Sequence, residues 1–160
     1  MTGGIPAYGL LAALAIALLF AAFTDLRARV IENWLTLAIA LAAPLFWWAS
    51  GLSVWPGMAL QLGLGLAVFS ALAGLFALGA MGGGDVKLLS ALALWLPWQP
   101  FLKLVVLMAL IGGVLTILAA SWHRIARRPG RVQVPYGIAI AAAGLWVLAG
   151  TYWPSAGFAQ

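Results

Sequence analysis

Few side chains in this 160-residue chain can carry out acid–base or nucleophilic chemistry. The acids are Asp25, Glu32 and Asp85, and the one histidine is His123. The absence of cysteine excludes a thiol nucleophile, a disulfide and a thiolate metal site. No HExxH pattern occurs, and no serine stands in a motif that would pair it with a base. Any hydrolysis would therefore depend on carboxylates, and we expect no metal and no cofactor.

Two of the carboxylates lie where an apolar stretch meets a polar segment. Asp25 directly follows the apolar stretch that ends in Phe23 and Thr24, and Asp85 stands in MGGGDVKLL, before a short apolar run. Two carboxylates at close range cannot easily both ionise, so such a pair shares one proton. The ionised partner can take a proton from water, while the protonated partner donates one to a peptide carbonyl oxygen. The pair therefore indicates aspartic-protease chemistry.

The three residues before Asp85 are Gly82, Gly83 and Gly84. Glycine adopts backbone angles that are closed to other residues, and it lets another backbone approach closely. We therefore expect an unwound stretch beside a peptide-cleaving cleft, since unwound backbone at membrane depth must be surrounded by protein or a cavity.

Each of these charged residues also has a simpler interpretation. Asp85 could cap the helix that follows it, because Asp is a favoured N-cap residue. Asp25 could pair with Arg27 or Arg29 at the membrane surface. Lys87 could be an interfacial charge, or it could tune the acidity of Asp85.

The elements that must position these residues are apolar helices. Hydrophobic residues make up 66% of the chain and charged residues 7%, whereas soluble domains carry roughly 25% charged residues. Six apolar runs can be marked, and most are near the ~20 residues that cross a ~30 Å hydrocarbon core. They are Ile5 to Thr24, Leu35 to Leu52, Val54 to Ala80, Val86 to Pro97, Phe101 to Ser121 and Val134 to Trp153. We predict an all-α, polytopic membrane protein with about six transmembrane helices, in which residues 1–160 form one membrane-embedded domain.

The fourth run is the exception, because as a helix it would measure only about 18 Å. Either it spans part of the membrane, or it starts below the membrane surface and draws Asp85 inward, away from bulk water.

The basic residues predict the orientation. The net charge is +5, from eight Lys and Arg against three acids. Arg27 and Arg29 lie in the loop after the first run, Lys87 in the loop after the third, and Arg124 to Arg131 in the loop after the fifth. Under the positive-inside rule these loops face the cytoplasm, so both termini lie outside. The N-terminal MTGGIPAYG lacks the positive stretch of a signal peptide, so we expect the first helix to be retained. The bilayer is then the expected partner, and nucleic acid is not.

Three segments together resemble the type IV prepilin peptidase family of intramembrane aspartic peptidases. That family carries an Asp at the end of its first core helix, followed shortly by Ile-Pro-Asn; here Asp25 is followed by Ile31-Glu32-Asn33. Its second Asp lies in Gly-x-Gly-Asp, continued by a hydrophobic residue and Lys, as in Gly82 to Lys87. A third element near the last helix matches Val134 to Gly144. The residues that the resemblance marks as supporting or substrate-binding are Gly82, Gly83, Gly84, Lys87, Asn33, Pro135, Tyr136 and Gly137.

The resemblance implies an aspartic endopeptidase with Asp25 and Asp85 as its catalytic pair and without metal or cofactor. Its substrates would be type IV prepilins and pseudopilins, whose basic leaders are cleaved at the cytoplasmic face of the bacterial inner membrane while their apolar helix lies in the bilayer. The chain is similar to the short form without a methyltransferase domain, as in Flp-type pilus systems. Glu32 stands where the family has Pro, and we expect it in a solvated loop.

Two alternatives come from other classes. A small transporter, or a pilus or secretion assembly subunit, could use Asp85 as a proton or ion relay, since intramembrane acids often mark such pathways. That function would predict polar residues strung through several helices, whereas all three acids here lie in or beside predicted loops. A presenilin-like peptidase also uses GxGD, but the segment from Asp25 to Asn33 and the VPYG sequence favour the prepilin type.

Overall fold

The described part of the computed structural model comprises residues 4–125 and 136–152, with His123 described only through its backbone. Within these ranges the chain forms six α-helices and no β-strand, so the all-α prediction is confirmed. The helices are α1 (Ile5–Ala28), α2 (Asn33–Ala49), α3 (Ala59–Ala77), α4 (Gly83–Ala93), α5 (Trp98–Ile125) and α6 (Tyr136–Tyr152), and an irregular helical turn, Val54–Met58, leads into α3. Pro135, Arg127, Arg128, Arg131 and Trp153, on which sequence predictions rest, lie outside the described residues.

Among the described residues, three stretches are long and apolar enough to cross a membrane. They are Ile5–Ala28, Val54–Ala77 and Trp98–Trp122. Two further helices, α2 and α6, are apolar but shorter. Large apolar side chains cover the outer faces of the bundle, among them Ile16, Val106 and Ile117, each more than 60% exposed. Lipid is the solvent in which such a surface is stable. The protein is therefore a membrane protein.

The short helix α4 is the most deeply packed element. It packs against α2, α3 and α6 and touches α5. Leu88 and Leu92 of α4 have no exposed surface, and Ile140 of α6 is equally enclosed. Helix α3, by contrast, lies at the edge of the bundle, where Gly65 is its one buried residue. The centre of the protein is thus a helix of 11 residues, about 16 Å long, surrounded by longer ones.

The predicted bounds of this fourth helix, Val86 to Pro97, are wrong at both ends. The helix begins three residues earlier, because Gly83 and Gly84 are helical, and it ends at Ala93. Proline disfavours helical angles in the residue before it, so a helix that meets Pro97 must stop early. The chain turns tightly through residues 94–97, and α5 starts at Trp98 instead of the predicted Phe101.

Side chains from three other helices hold the carbonyl groups at the end of α4. The last carbonyls of any helix have no partner within the helix. Here four consecutive carbonyls, those of residues 93–96, each accept a side-chain hydrogen bond. Gln61 Nε2 donates to Ala93 and Leu96 at 2.8 and 2.7 Å, Trp47 Nε1 donates to Leu94 at 2.7 Å, and Tyr152 Oη donates to Trp95 at 2.6 Å. The carbonyl cluster formed by residues 93–96 is thereby satisfied inside the protein.

Replacing Gln61 with leucine should destabilise the protein. Gln61→Leu removes the donors to two carbonyls of the cluster, and each buried acceptor left without a partner costs about 1–3 kcal/mol. Thermal unfolding in detergent should show a lower melting temperature. Gln99→Leu is the matched control, because Gln99 is exposed at the start of α5. Equal melting temperatures for the two variants would contradict this account of the helix end.

Candidate active site

Three helix ends meet around one open cavity of about 550 Å³. Helix α1 ends there, and α4 and α6 begin there. The residues that line the cavity are Asp25, Arg29, Val30, Ile31, Gly82, Gly83, Gly84, Asp85 and Tyr136. The structure thus places Asp25 and Asp85, which are 60 positions apart in sequence, on the walls of the same space.

Asp25 is buried against the start of α6. Its side chain is 7% exposed, and its Oδ2 accepts a hydrogen bond of 2.8 Å from the backbone N–H of Gly137. The first N–H groups of a helix have no partner within that helix, so the Asp25 carboxylate supplies one for α6. The guanidinium of Arg27 lies over the ring of Phe23, 5.0 Å from its centre. Asp25 is therefore held inward by α6, which does not fit the alternative of a surface pair with Arg27.

Gly137 is the residue that allows this approach. A Cβ atom at this position would lie 2.8 Å from Cγ and Oδ2 of Asp25 and 2.9 Å from its Cβ. Real Cβ atoms essentially never come so close to other heavy atoms. Any larger residue would push α6 away from α1 or turn the carboxylate aside. The sequence marked Gly137 by resemblance alone, and the structure gives the steric reason.

Asp85 is the third residue of α4 and faces the same cavity. The N-cap residue is Gly82, and no side chain caps this helix end, so the interpretation of Asp85 as the N-cap is wrong. A carboxylate in the first turn is still stabilised by the partial positive charge of the helix N-terminus. Helix α4 is not among the stretches long enough to cross a membrane, and Asp85 lies in its first turn, beside the open cavity. Burial, and secondarily the nearby charge of Asp25, raise the pKa of Asp85 to about 6.

The glycines before Asp85 provide space and not unusual backbone angles, so that prediction is wrong. Gly82 is extended, with φ −72° and ψ 142°, and the next two are helical. A Cβ on Gly82 would lie 3.0 Å from Oδ2 of Asp85, and one on Gly84 would lie 3.2 Å from Cβ of Ile31. Gly82 therefore leaves space for the Asp85 carboxylate, and Gly84 lets α4 pack closely against Ile31.

Arg29, together with Val30 and Ile31, forms the part of the cavity wall that sequence reasoning missed. Arg29 adopts a left-handed conformation, with φ 55° and ψ 33°, which residues other than glycine rarely take. Its N–H donates the last helical hydrogen bond of α1, to the carbonyl of Asp25 at 3.0 Å, and its left-handed conformation ends the helix. The one feature of the sequence that could have indicated a role for Arg29 is its position, four residues after Asp25. The tight turn brings the loop back over the cavity.

Asn33 and Lys87 meet each other but lie outside the cavity. Lys87 Nζ donates to Oδ1 of Asn33 at 2.8 Å, which joins the start of α2 to the first turns of α4. Both residues line a neighbouring groove. Tyr136, in contrast, lines the cavity, and its ring packs so close to Gly112 that a Cβ there would clash.

Glu32 is exposed, as expected for a solvated loop, and it is the N-cap residue of α2. Its φ of −64° and ψ of 134° are compatible with proline, whose ring fixes φ near about −65°. The departure from Ile-Pro-Asn therefore leaves the loop in a backbone conformation that proline would also adopt.

Comparison with known proteins identifies the family to which the chain is similar. The profile of the type IV leader peptidase family matches residues 12–117. A prepilin leader peptidase/N-methyltransferase of Aeromonas hydrophila is 32% identical over 160 residues, covering 89% of this chain and 50% of the relative. One from Burkholderia pseudomallei (strain K96243) is 32% identical over 153 residues, covering 88% and 44%. The chain spans about half the length of these curated relatives. No solved structure matches it.

Substituting alanine for Gly137 should disturb the contact between α1 and α6. The added methyl group would overlap the Asp25 carboxylate, and overpacking of this kind typically costs about 1–3 kcal/mol. Thermal unfolding in detergent should therefore occur at a lower temperature. Gly150→Ala in the same helix is the control, because a Cβ there would meet nothing within 4 Å. A Gly137→Ala protein as stable as the Gly150→Ala protein would rule out the steric role given to Gly137.

Proposed function

Because the chain belongs to the type IV leader peptidase family, we propose that it is an intramembrane aspartic endopeptidase that removes the basic leader of type IV prepilins and pseudopilins. The observation that carries the proposal is the shared cavity of Asp25 and Asp85. One carboxylate is fixed by a backbone N–H, and the other has a raised pKa. Two carboxylates in different environments are the arrangement that lets one act as base and the other as acid.

The contacts of the two aspartates suggest which role each plays. Oδ2 of Asp25 accepts the Gly137 N–H, so that oxygen carries no proton. We assign Asp25 as the base that takes a proton from the attacking water. Asp85, whose raised pKa favours its protonated form, donates a proton to the oxygen of the scissile carbonyl. The tetrahedral intermediate then collapses: the carbon–nitrogen bond breaks, and the departing nitrogen takes a proton from the pair.

The cavity walls suit an extended peptide. Gly82, Gly83 and Gly84 form one wall without side chains, so a substrate backbone can lie close to Asp85. Arg29 and Tyr136 stand on other parts of the wall and can contact the peptide near the scissile bond. No described group of three or more His, Asp or Glu side chains could hold a metal ion. The proposed reaction needs water as its only co-reactant.

The proposed setting follows from the charge distribution. From the basic loops we infer that the cavity faces the cytoplasm at the bacterial inner membrane, with both termini outside and residues 1–160 in one membrane-embedded domain. A basic leader would then reach the cavity from the side on which prepilins are made. An Flp-type pilus system is the proposed context, as in the short forms that the sequence resembles. No nucleic-acid partner is proposed.

The transporter alternative has no support among the described residues. The two described acids with buried surroundings, Asp25 and Asp85, lie at one end of the bundle. Toward the other end, Trp47, Gln61 and Tyr152 donate their hydrogen bonds to the carbonyl cluster of residues 93–96. These donors are used to satisfy backbone, so they do not form a relay for protons from Asp85.

Asp25→Asn and Asp85→Asn should each abolish leader removal. Each change keeps the size of the side chain but removes the exchangeable acid, and the double variant should be little worse, because residues that act as one unit are not additive. The measurement is cleavage of a co-expressed prepilin, with detergent-stable yield as the check on folding.

Glu32→Gln is the matched control for these two variants, because Glu32 is exposed and does not line the cavity. It should retain substantial activity. Wild-type-like cleavage by Asp85→Asn would exclude Asp85 from the reaction. Loss of activity in Glu32→Gln equal to that of the aspartate variants would show that the wrong carboxylate had been chosen.

The pH dependence of leader cleavage should reflect the ionisation of Asp85, the proposed general acid. With a raised pKa of about 6, Asp85 holds its proton below that pH and loses it above. Because kcat/KM reports the groups of the free enzyme, it should fall as the pH rises above about 6, with an apparent midpoint that belongs to the pair. Initial rates of leader removal across this range provide the measurement, and Glu32→Gln should show the same profile. A kcat/KM that climbs steadily through the range would reverse the assigned roles.

A further inference from the structure

A second opening, an apolar groove of about 390 Å³, runs along α4 between α2 and α3. Helices α2 and α3 both pack against α4 but have little contact with each other, so the face of α4 between them is left open. We call this opening the α2–α3 groove. Its lining residues are Asn33, Thr36, Leu37, Ala40, Leu62, Gly65, Leu66, Phe69, Lys87, Ser90, Ala91 and Leu94.

We propose that the α2–α3 groove binds the start of the substrate's apolar helix, the segment that follows the cleaved bond. This inference rests on the proposed function and adds to it the site that aligns a membrane-embedded substrate with the two aspartates.

The first argument is continuity between the cavity and the groove. Along the loop before α2, Ile31 lines the cavity and Asn33 lines the groove. Along α4, Asp85 lines the cavity and Lys87 the groove. A single residue separates the two spaces on each wall, Glu32 along the loop and Val86 along α4. A peptide whose scissile bond lies between the aspartates therefore needs only a short extended segment to enter the groove.

The second argument is the chemistry of the groove surface. Its two hydroxyl groups are already bonded to their own helices: Thr36 donates to the carbonyl of Asn33 at 3.0 Å, and Ser90 to that of Val86 at 2.7 Å. The surface that remains is apolar. The small side chain of Ala40, which is only partly buried, allows another helix to approach closely. A peptide helix, whose backbone groups are satisfied internally, fits such a surface within the bilayer.

The third argument is length and charge. From Lys87 to Leu94 the groove follows about two turns of α4, roughly 10 Å, which matches the first two turns of a docked helix. The Lys87 ammonium lies at the mouth, bonded to Asn33. Its positive charge repels a basic leader, so the leader is kept on the cavity side and the apolar segment enters the groove.

The first test compares two exposed leucines on different faces of α3. Leu66 lines the groove and is 59% exposed, whereas Leu60 faces away from it and is 70% exposed. Leu66→Trp should fill the groove and hinder binding of the substrate helix. We expect kcat/KM for a full-length prepilin to fall by about tenfold, mainly through a higher KM, which is within the range that overpacking causes. Leu60→Trp should cleave as the wild type does. Equal rates for the two variants would overturn the proposal.

The second test does not depend on turnover and uses the natural absence of cysteine. Single cysteines are placed by Leu66→Cys or Leu60→Cys in the Asp85→Asn protein. The probes are co-expressed prepilins, each with one cysteine about seven residues after the cleavage site, two turns into the apolar helix. Oxidation with copper–phenanthroline should cross-link the position-66 protein and not the position-60 protein. Cross-linking that is equal at positions 66 and 60 would overturn the groove as the docking site. Absence of cross-linking at position 66 would do the same, because the groove would then be occupied by lipid alone.

The two tests separate this inference from the proposed function. If the wild-type protein cleaves the prepilins but position 66 does not cross-link, the groove assignment fails and the peptidase function stands. If the wild-type protein cleaves none of them, the peptidase function fails, and the cross-link at position 66 alone decides whether the groove binds these helices.

Discussion

The need to give every backbone polar group a partner inside a membrane governs this structure. Helix α4 has only 11 residues, and its last carbonyls end within the protein. In a bilayer an unpartnered carbonyl costs several kcal/mol. Gln61 of α3, Trp47 of α2 and Tyr152 of α6 provide the partners. Because these donors come from three different helices, satisfying one helix end also fixes the position of its neighbours.

A helix anchored at one end can present a defined group at the other. The first turn of α4 carries Asp85 into the cavity, and the start of α6 approaches so closely that its Gly137 N–H bonds the Asp25 carboxylate. The two aspartates are thus positioned by backbone and helix packing, with little dependence on flexible side chains. Glycine is needed wherever these helix ends meet, because a Cβ would occupy the space of a carboxylate or of Ile31. This is the rigid support that a catalytic pair requires.

The same short helix explains why the bundle has an open side. Since α2 and α3 are joined mainly through α4, the face of α4 between them is not covered by either helix. The cavity with its two carboxylates and the α2–α3 groove are both bordered by the first turns of α4. A polar reaction site and an apolar docking surface can be adjacent because Asp85 and Lys87 project from different sides of the same helix. Asp85, at the proposed reaction site, and Lys87, at the proposed docking groove, are about half a helical turn apart.

Composition alone determined that this is an all-α membrane protein, because so few charges and so much apolar surface are stable only in lipid. The scarcity of reactive side chains also directed attention to Asp25 and Asp85 without any structure. Local patterns could not show that the helix starts at Gly83, that the glycines provide space instead of unusual angles, or that Arg29 turns back over the cavity. Nor could they pair Gln61 with a carbonyl 32 residues away, or Gly137 with Asp25. Those features depend on contacts between helices distant in sequence, and a backbone carbonyl or N–H looks the same in every residue until packing selects its partner.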